Sequence, residues 1–287
     1  MTGLALNLDT NHLSELARNP SAADSEAVIR LLQNGRARVA ISSFHLMELA
    51  DPGFASVGEL IALLRDVEWV LLNPFENVED EEIAFAVARA TGRQRRSPRI
   101  FAASTAEWGY HLGPPGGGPV EMLEAIQKLP QMRRQILDLA KVAAQHSMMK
   151  EQAAVISKPG VPIEIAVAHH LREMRMRTPN YGDNLSAAEV LERAGGISAL
   201  PWHEAHERLM IERLRLKEQK STSNDVLDEY ITAYAPYVPV TAVDRRTYHR
   251  VQSTRLSFAS RVTRSLREVP TLIARVQAGE LQVSPSA

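Results

Sequence analysis

Apolar residues along the chain fall into two rhythms, short continuous runs and helical repeats, and the two alternate. Leu4-Ala5-Leu6-Asn7-Leu8 is a short apolar run closed by Asp9-Thr10-Asn11. Asp, Thr and Asn cap helices, and Leu13, Leu16 and Ala17 follow at helical spacing, so this segment predicts strand, turn and helix. A second helical repeat, Ala27, Ile29, Leu31 and Leu32, stops at Asn34-Gly35, where a glycine suits a left-handed helix end. Arg38 to Ser42 then reads as a buried strand, and Ser42 and Ser43 cap a helix carrying Phe44, Met47 and Glu48. A third run, Val67 to Leu72, ends at Asn73-Pro74, and Glu79 to Ala90 is helical, with acids in its first turn where they complement the dipole. This repeated alternation with short connections predicts a parallel sheet covered by helices.

From about residue 92 the rhythm changes. Gly92 to Arg99 is a basic loop, and Gly113 to Pro119 is a turn-rich break. Between about 120 and 215 the periodicity is helical throughout, the longest helices being Val120 to Ser157, interrupted at Pro130, and Trp202 to Lys220. The first rhythm then returns, with Ser223-Asn224 capping a helix from Asp225 to Ala235 and Tyr237 to Val243 forming a strand stopped by Asp244. Thr271 to Gly279 is one amphipathic helix, and the Ser-Pro-Ser end is expected to fray. The reading is an α/β protein whose core, residues 1–92 and 215–262, is interrupted by an all-helical insertion at 93–214 and followed by a C-terminal helix and tail at 263–287.

Composition narrows the setting. Hydrophobic residues at 45% and charged residues at 23% are globular proportions, and only 5% aromatics argues for few strands. The 33 basic and 34 acidic residues leave a formal net charge of -1, so a polyanion would have to be met by local patches. The absence of cysteine excludes disulfides and cysteine-ligated zinc or iron–sulfur sites, which fits a cytoplasmic protein. No apolar run reaches the roughly 18 residues that span a bilayer, and Met1 to Asp9 lacks the pattern of a secretion signal, so no membrane partner is expected.

The candidate chemistry lies in carboxylates. Ligands of a parallel α/β sheet bind at the carboxyl ends of its strands, and Asp9 and Asp244 each end a strand there. Glu48 sits about one and a half turns into the helix after the second strand and can face the same edge. Asp225 begins the helix before the last strand and shares a face with Asp228. Magnesium and manganese prefer such oxygen ligands, and ions held by four acids could drive an in-line displacement at phosphorus. Each acid also has a plain structural role open to it. Asp9 and Asp244 could simply cap helices, Asp225 and Asp228 could offset a dipole, and Glu48 could lie on a solvated face.

In order along the chain, Leu6-Asn7-Leu8-Asp9-Thr10-Asn11, Val39-Ala40-Ile41-Ser42 with Glu48, Ser223 to Asp228, and Val240-Thr241-Ala242-Val243-Asp244-Arg245-Arg246 resemble the PIN-like superfamily, whose members are mostly metal-dependent ribonucleases. The resemblance implies a three-layer α/β/α core with Asp9, Glu48, Asp225 and Asp244 as catalytic metal ligands for magnesium or manganese. Thr10, Asn11, Ser42, Asp228 and Thr247 would stand behind them. It implies an endoribonuclease acting on single-stranded RNA. Apart from the resemblance, Arg93, Arg95, Arg96 and Arg99 could grip phosphates or form an ordinary solvated loop, and Arg245 and Arg246, beside Asp244, are better placed to grip them. A non-catalytic PIN-like binding or scaffold protein, and a toxin nuclease neutralised by a partner, are the alternatives. The insertion of about 100 residues departs from compact PIN domains; it could carry a protein partner, and a homo-oligomer is compatible with the sequence.

Other motifs carry less. His203-Glu204-Ala205-His206-Glu207 has its histidines at i and i+3 rather than the i and i+4 of zinc proteases, so a solvated helix face is expected. The adjacent His169-His170 pair is expected at the surface, and the glycines at 113–119 are expected to act as a hinge rather than a phosphate loop.

Overall fold

The structure is a computed structural model that describes residues 3–51, 56–108, 117–138, 185–215 and 223–284. At its centre lies β1 (Leu4–Leu8), with Leu6 and Leu8 fully buried. A strand apolar on both faces belongs between two covered faces of a parallel sheet. Asn7, its one polar residue, donates from Nδ2 to the Ile231 carbonyl at 2.8 Å. On one side β1 pairs in parallel with β2 (Ala37–Ile41), and β2 with β3 (Trp69–Leu72). On the other side it pairs in parallel with β5 (Val240–Ala242), Leu6 opposite Val240 and Leu8 opposite Ala242. The two segments expected to rejoin across the long intervening stretch therefore do so in one sheet.

Two short strands complete it. β4 (Phe101–Ala102) joins β3 antiparallel and β6 (Val262–Thr263) joins β5 parallel, giving the six-stranded order β4-β3-β2-β1-β5-β6. The fold is α/β with a mostly parallel sheet, compatible with helices layered on both faces. The helices after β1 and β2 are α1 (Thr10–Arg18), α2 (Ala23–Gln33), α3 (Ser43–Leu49) and α4 (Val57–Asp66). α2 ends where Gly35 takes a φ of 65°; Gly35 N–H bonds the Leu32 carbonyl and Arg36 N–H the Leu31 carbonyl, the paired bonds of a glycine-closed helix. After β3 come α5 (Phe75–Ala90), α6 (Pro119–Lys128), α7 (Ala187–Ala194) and α8 (Pro201–Arg215). α9 (Ser223–Thr232) precedes β5, α10 (Arg245–Ser253) follows it, and α11 (Val269–Gln277) closes the chain.

Residues 93–214 are not all-helical, because β4 lies within them; a two-residue strand is too short to show a period of two. Among the described residues of 120–215 there is no strand, as the periodicity predicts. The helix expected from 120 breaks at Leu129, resumes over 130–138, and then passes outside the described residues, as do His169 and His170. The described parts share the core. Met122, Leu123 and Ile126 of α6 and Trp202, Ala205 and Leu209 of α8 belong to the same buried cluster as the sheet. Ile83 and Ala86 of α5 form a second cluster with Val190, Leu191 and Ala194 of α7. None of the described helices is long and apolar enough to cross a membrane.

The solvated face expected at His203 to Glu207 is instead interior, with His203, His206 and Glu207 all under 4% exposed. The reason is Glu82 of α5, which is fully buried at the start of α8. Its Oε1 accepts from Trp202 N–H at 2.6 Å and from the Tyr237 hydroxyl at 2.5 Å. Its Oε2 accepts from His203 N–H at 3.2 Å and lies 2.7 Å from His203 Nδ1. Backbone N–H groups at a helix start need acceptors, and the helix dipole favours a negative one. Burial opposes a charged His203 ring, but the hydrogen bond and charge of Glu82 outweigh it and raise the His203 pKa. Glu82→Ala is expected to destabilise the protein by about 3–5 kcal/mol, the usual cost of stranding the partners of a buried charge. Urea unfolding checks this, and a loss under about 1 kcal/mol would show that α8 is anchored by something else.

Candidate functional site

Residues following β1, β2 and β5 meet at the carboxyl edge of the sheet. Asp9 N–H donates to the Ala242 carbonyl at 2.8 Å, so the residue ending β1 is tied to the end of β5. Asp9 caps α1: its Oδ1 accepts from His12 N–H at 2.8 Å and lies 2.6 Å from His12 Nδ1. Its Oδ2 is buried and has no hydrogen-bond partner among the described residues. His12 Nε2 lies 3.3 Å from the Arg264 carbonyl. Burial disfavours a charged His12 ring, but the hydrogen bond and charge of Asp9 outweigh it, and the His12 pKa is raised.

Asp244 caps α10 in the same manner. Its Oδ1 accepts from the N–H groups of Arg246 at 2.5 Å and Thr247 at 2.8 Å, and its Oδ2 accepts from the Thr247 hydroxyl at 3.3 Å. Thr247, expected only in a supporting role, therefore touches an acid directly. Glu48 projects from α3 and accepts on Oε2 from the Thr10 hydroxyl. Ser42 touches none of the acids; it caps α3 through a box closed by His45. His45 Nδ1 accepts from Ser42 N–H at 3.0 Å, so Nε2 carries the proton and donates to the Leu8 carbonyl at 2.8 Å. Burial keeps this ring neutral, its pKa lowered to about 4. His45 thus pins the start of α3 beside the residue before Asp9. Asn11 is exposed at the start of α1.

The two acids of α9 part company. Asp225, 4% exposed, accepts on Oδ1 from Arg250 at 2.9 Å and pairs through the same oxygen with Arg246 at 2.6 Å. Arg250 also pairs with Glu229 at 2.8 Å, and Glu229 with Arg213 of α8 at 2.6 Å. Asp228, which the sequence places in a supporting role, is the α9 acid that joins the others. Burial, then the charges of Glu48, Asp244 and Asp9 and a hydrogen bond with Asp244, push its pKa up to about 10. Burial also raises Glu48, to about 8, against the opposing Thr10 hydrogen bond and with the charges of Asp9 and Asp244 adding to it. The acids brought together are Asp9, Glu48, Asp228 and Asp244, and Asp225 stands behind them in an arginine clasp.

This set is all hard oxygen, the donor chemistry of magnesium or manganese, and the buried unpartnered Asp9 Oδ2 is a lone pair such an ion would satisfy. Among the described residues no group of three or more His, Asp or Glu side chains stands as a finished ligand set. Around the site, Arg245 is exposed and Arg246 is 42% exposed beside Asp225. Arg93, Arg95, Arg96 and Arg99 lie on the exposed loop after α5, with Arg95 3.1 Å from Glu81 and Arg99 paired with Glu107.

Two carboxyls with raised pKa values give the metal-free protein a defined pH response. Unfolded Glu48 and Asp228 lose their protons near pH 4, whereas in the folded protein they hold them to about 8 and about 10. Between those limits the folded state binds more protons than the unfolded one, so stability falls as pH rises, by at most about 1.4 kcal/mol per pH unit for each group. His12 and His203, with raised pKa values, tilt stability the same way, so a comparison isolates the carboxyl. In chelator, Asp228→Asn should melt above the parent at pH 8 and fall less steeply between pH 5 and 8; parallel curves would show that Asp228 is not held protonated.

Comparison with family models, with characterised proteins and with solved structures finds no match.

Proposed function

We propose that this protein is a PIN-like, divalent-metal-dependent nuclease that hydrolyses phosphodiester bonds in single-stranded RNA. The observation that carries the reading is the meeting of Asp9, Glu48, Asp228 and Asp244, from four separate elements, at the carboxyl edge of a parallel sheet. Structural acids are spread apart by repulsion, whereas here two of the four stay protonated well above their usual range, which a divalent cation would relieve. Asp9, Glu48, Asp228 and Asp244 would hold magnesium or manganese, with Asp225 held back by its arginines. Once bound, such an ion would supply a water activated for attack and would offset charge on the phosphate.

The chain's own residues do the rest. His12, through its backbone N–H and its ring Nδ1, holds Asp9 Oδ1, and Oδ2 is left without a partner among the described residues. Thr10 steadies Glu48, and Thr247 with the first N–H groups of α10 steadies Asp244. Arg246, half-exposed next to Asp225, is placed to meet a phosphate oxygen. The rival is a PIN-like binding protein without catalysis, and the lack of a finished ligand set among the described residues favours it.

Adding magnesium or manganese to chelator-treated protein should raise its melting temperature by roughly 5 °C at about 100 times the dissociation constant. The parent should cut labelled single-stranded RNA only with the ion present. Asp9→Asn keeps an acceptor for His12 but loses the carboxylate, and should abolish both effects while retaining the parent's fold by circular dichroism. No melting shift with either ion, and no cleavage by the parent, would transfer the site to the non-catalytic reading.

A further inference from the structure

Two clefts run along α5 and share a wall. The first, about 340 Å³, is lined by Asn73, Asn77, Asp80, Glu81, Arg95 and Arg99. Asn73 directly follows β3, so this cleft opens at the same carboxyl edge as the acids. Asn73 is 2% exposed; its Nδ2 donates to the Arg99 carbonyl at 2.6 Å, and its Oδ1 has no partner among the described residues. The second cleft, about 540 Å³, is lined by Arg89, Arg93, Arg95 and Arg96 around Phe85. Arg95 lines both, so the two clefts adjoin along α5 and together make up the α5 groove. In a chain of net charge -1, four arginines within eight residues are a strong local positive field.

The groove has a direction and a length. One strand, β2, separates β1 from β3, which puts the near end about 10 Å from the Asp9 strand at the usual strand spacing. From Asn77 to Arg89, at about 1.5 Å per residue, it extends about 18 Å along the helix. That is far longer than a single phosphate needs and suits a chain. Its chemistry is graded as well. The near cleft mixes amides and carboxylates with Arg95 and Arg99, and Arg95 pairs with Glu81, so a base edge can pair there while Asp80 and Glu81 offset the positive charge. Guanidiniums line the far cleft, where phosphates are favoured, and the half-buried Phe85 offers a face on which a base can stack.

We propose that this α5 groove binds the flanking strand of a single-stranded nucleic acid, its phosphates held by Arg89, Arg93, Arg95 and Arg96. The proposal rests on the nuclease reading for the choice of ligand, yet binding and cleavage can be separated. Arg96 forms no ion pair among the described residues, and Arg93 and Arg96 both lie on the exposed loop, so exchanging them does not disturb the core.

The test is fluorescence anisotropy with a labelled single-stranded RNA of about 12 nucleotides, in chelator so that nothing is cut, across a salt series. The parent should bind with a steep salt dependence. The double variant Arg93→Gln/Arg96→Gln should bind more weakly, its slope in log K against log salt reduced by about 1.4, at about 0.7 for each phosphate that is no longer neutralised. A control with the same charge change on α2 and α11, Arg30→Gln/Arg275→Gln, should bind as the parent does. The proposal is overturned if the parent does not bind, if the Arg93→Gln/Arg96→Gln slope equals the parent's, or if the control weakens as much. If the parent binds through the groove but cleaves nothing with magnesium or manganese, the groove stands and the nuclease reading falls.

Discussion

The bond from Asp9 N–H to the Ala242 carbonyl, 2.8 Å long, is the last rung between β1 and β5, and it sets segments from opposite ends of the chain side by side. With that register, Leu8 lies opposite Ala242, and the chain leaves both strands at the same edge of the sheet. Asp9 and Asp244 then each start a helix pointing away from that edge. A slip of one residue would exchange the two covered faces of β1, taking Asn7 off the Ile231 carbonyl and Asp9 off the Ala242 carbonyl. The burial of β1 on both faces therefore fixes the site as firmly as it fixes the fold.

Crowded acids need local compensation, and here the helices supply it. Both Asp9 and Asp244 accept from first-turn N–H groups, so each sits where a helix dipole favours negative charge. Glu48 has a hydroxyl from Thr10, and Asp228 has its neighbours' carboxylates and a hydrogen bond with Asp244. Glu48 and Asp228, which lie away from a helix start, have raised pKa values, burial being the largest cause in both. Capping and site chemistry are thus not competing accounts of Asp9 and Asp244. The cap orients one oxygen of each, and in Asp9 it leaves Oδ2 without a partner among the described residues.

Much of this arrangement is legible along the chain. Strand-ending acids mark Asp9 and Asp244, and an acid among Phe44, Leu46, Met47 and Leu49 marks Glu48. The choice between Asp225 and Asp228 is hidden, because it turns on Arg246 and Arg250, one turn apart on α10, facing α9 across a packing that periodicity does not report. His45 has a signal, since Ser42-Ser43-Phe44-His45 is a capping box with histidine in the usual place of glutamate or glutamine. α8 defies its polar sequence because it packs against both α5 and α9, so its polar residues are interior on more than one side. β4 and β6 are two residues each, below the length at which alternation becomes visible.

The stretch that interrupts the core in sequence is also what holds the site in space. At its start α8 is fixed to α5 by Glu82, and further along Arg213 reaches Glu229 of α9. Glu229 shares Arg250 of α10 with Asp225, so one chain of buried charges runs from α8 through α9 to α10. Buried ion pairs of this kind add little net stability, but losing one member strands the rest, so they select one packing over its neighbours. The packing they select is the one that lays Asp228 of α9 against Asp244 at the head of α10. A helix whose place in the sequence assigns it to an insertion is for this reason a structural part of the acid site.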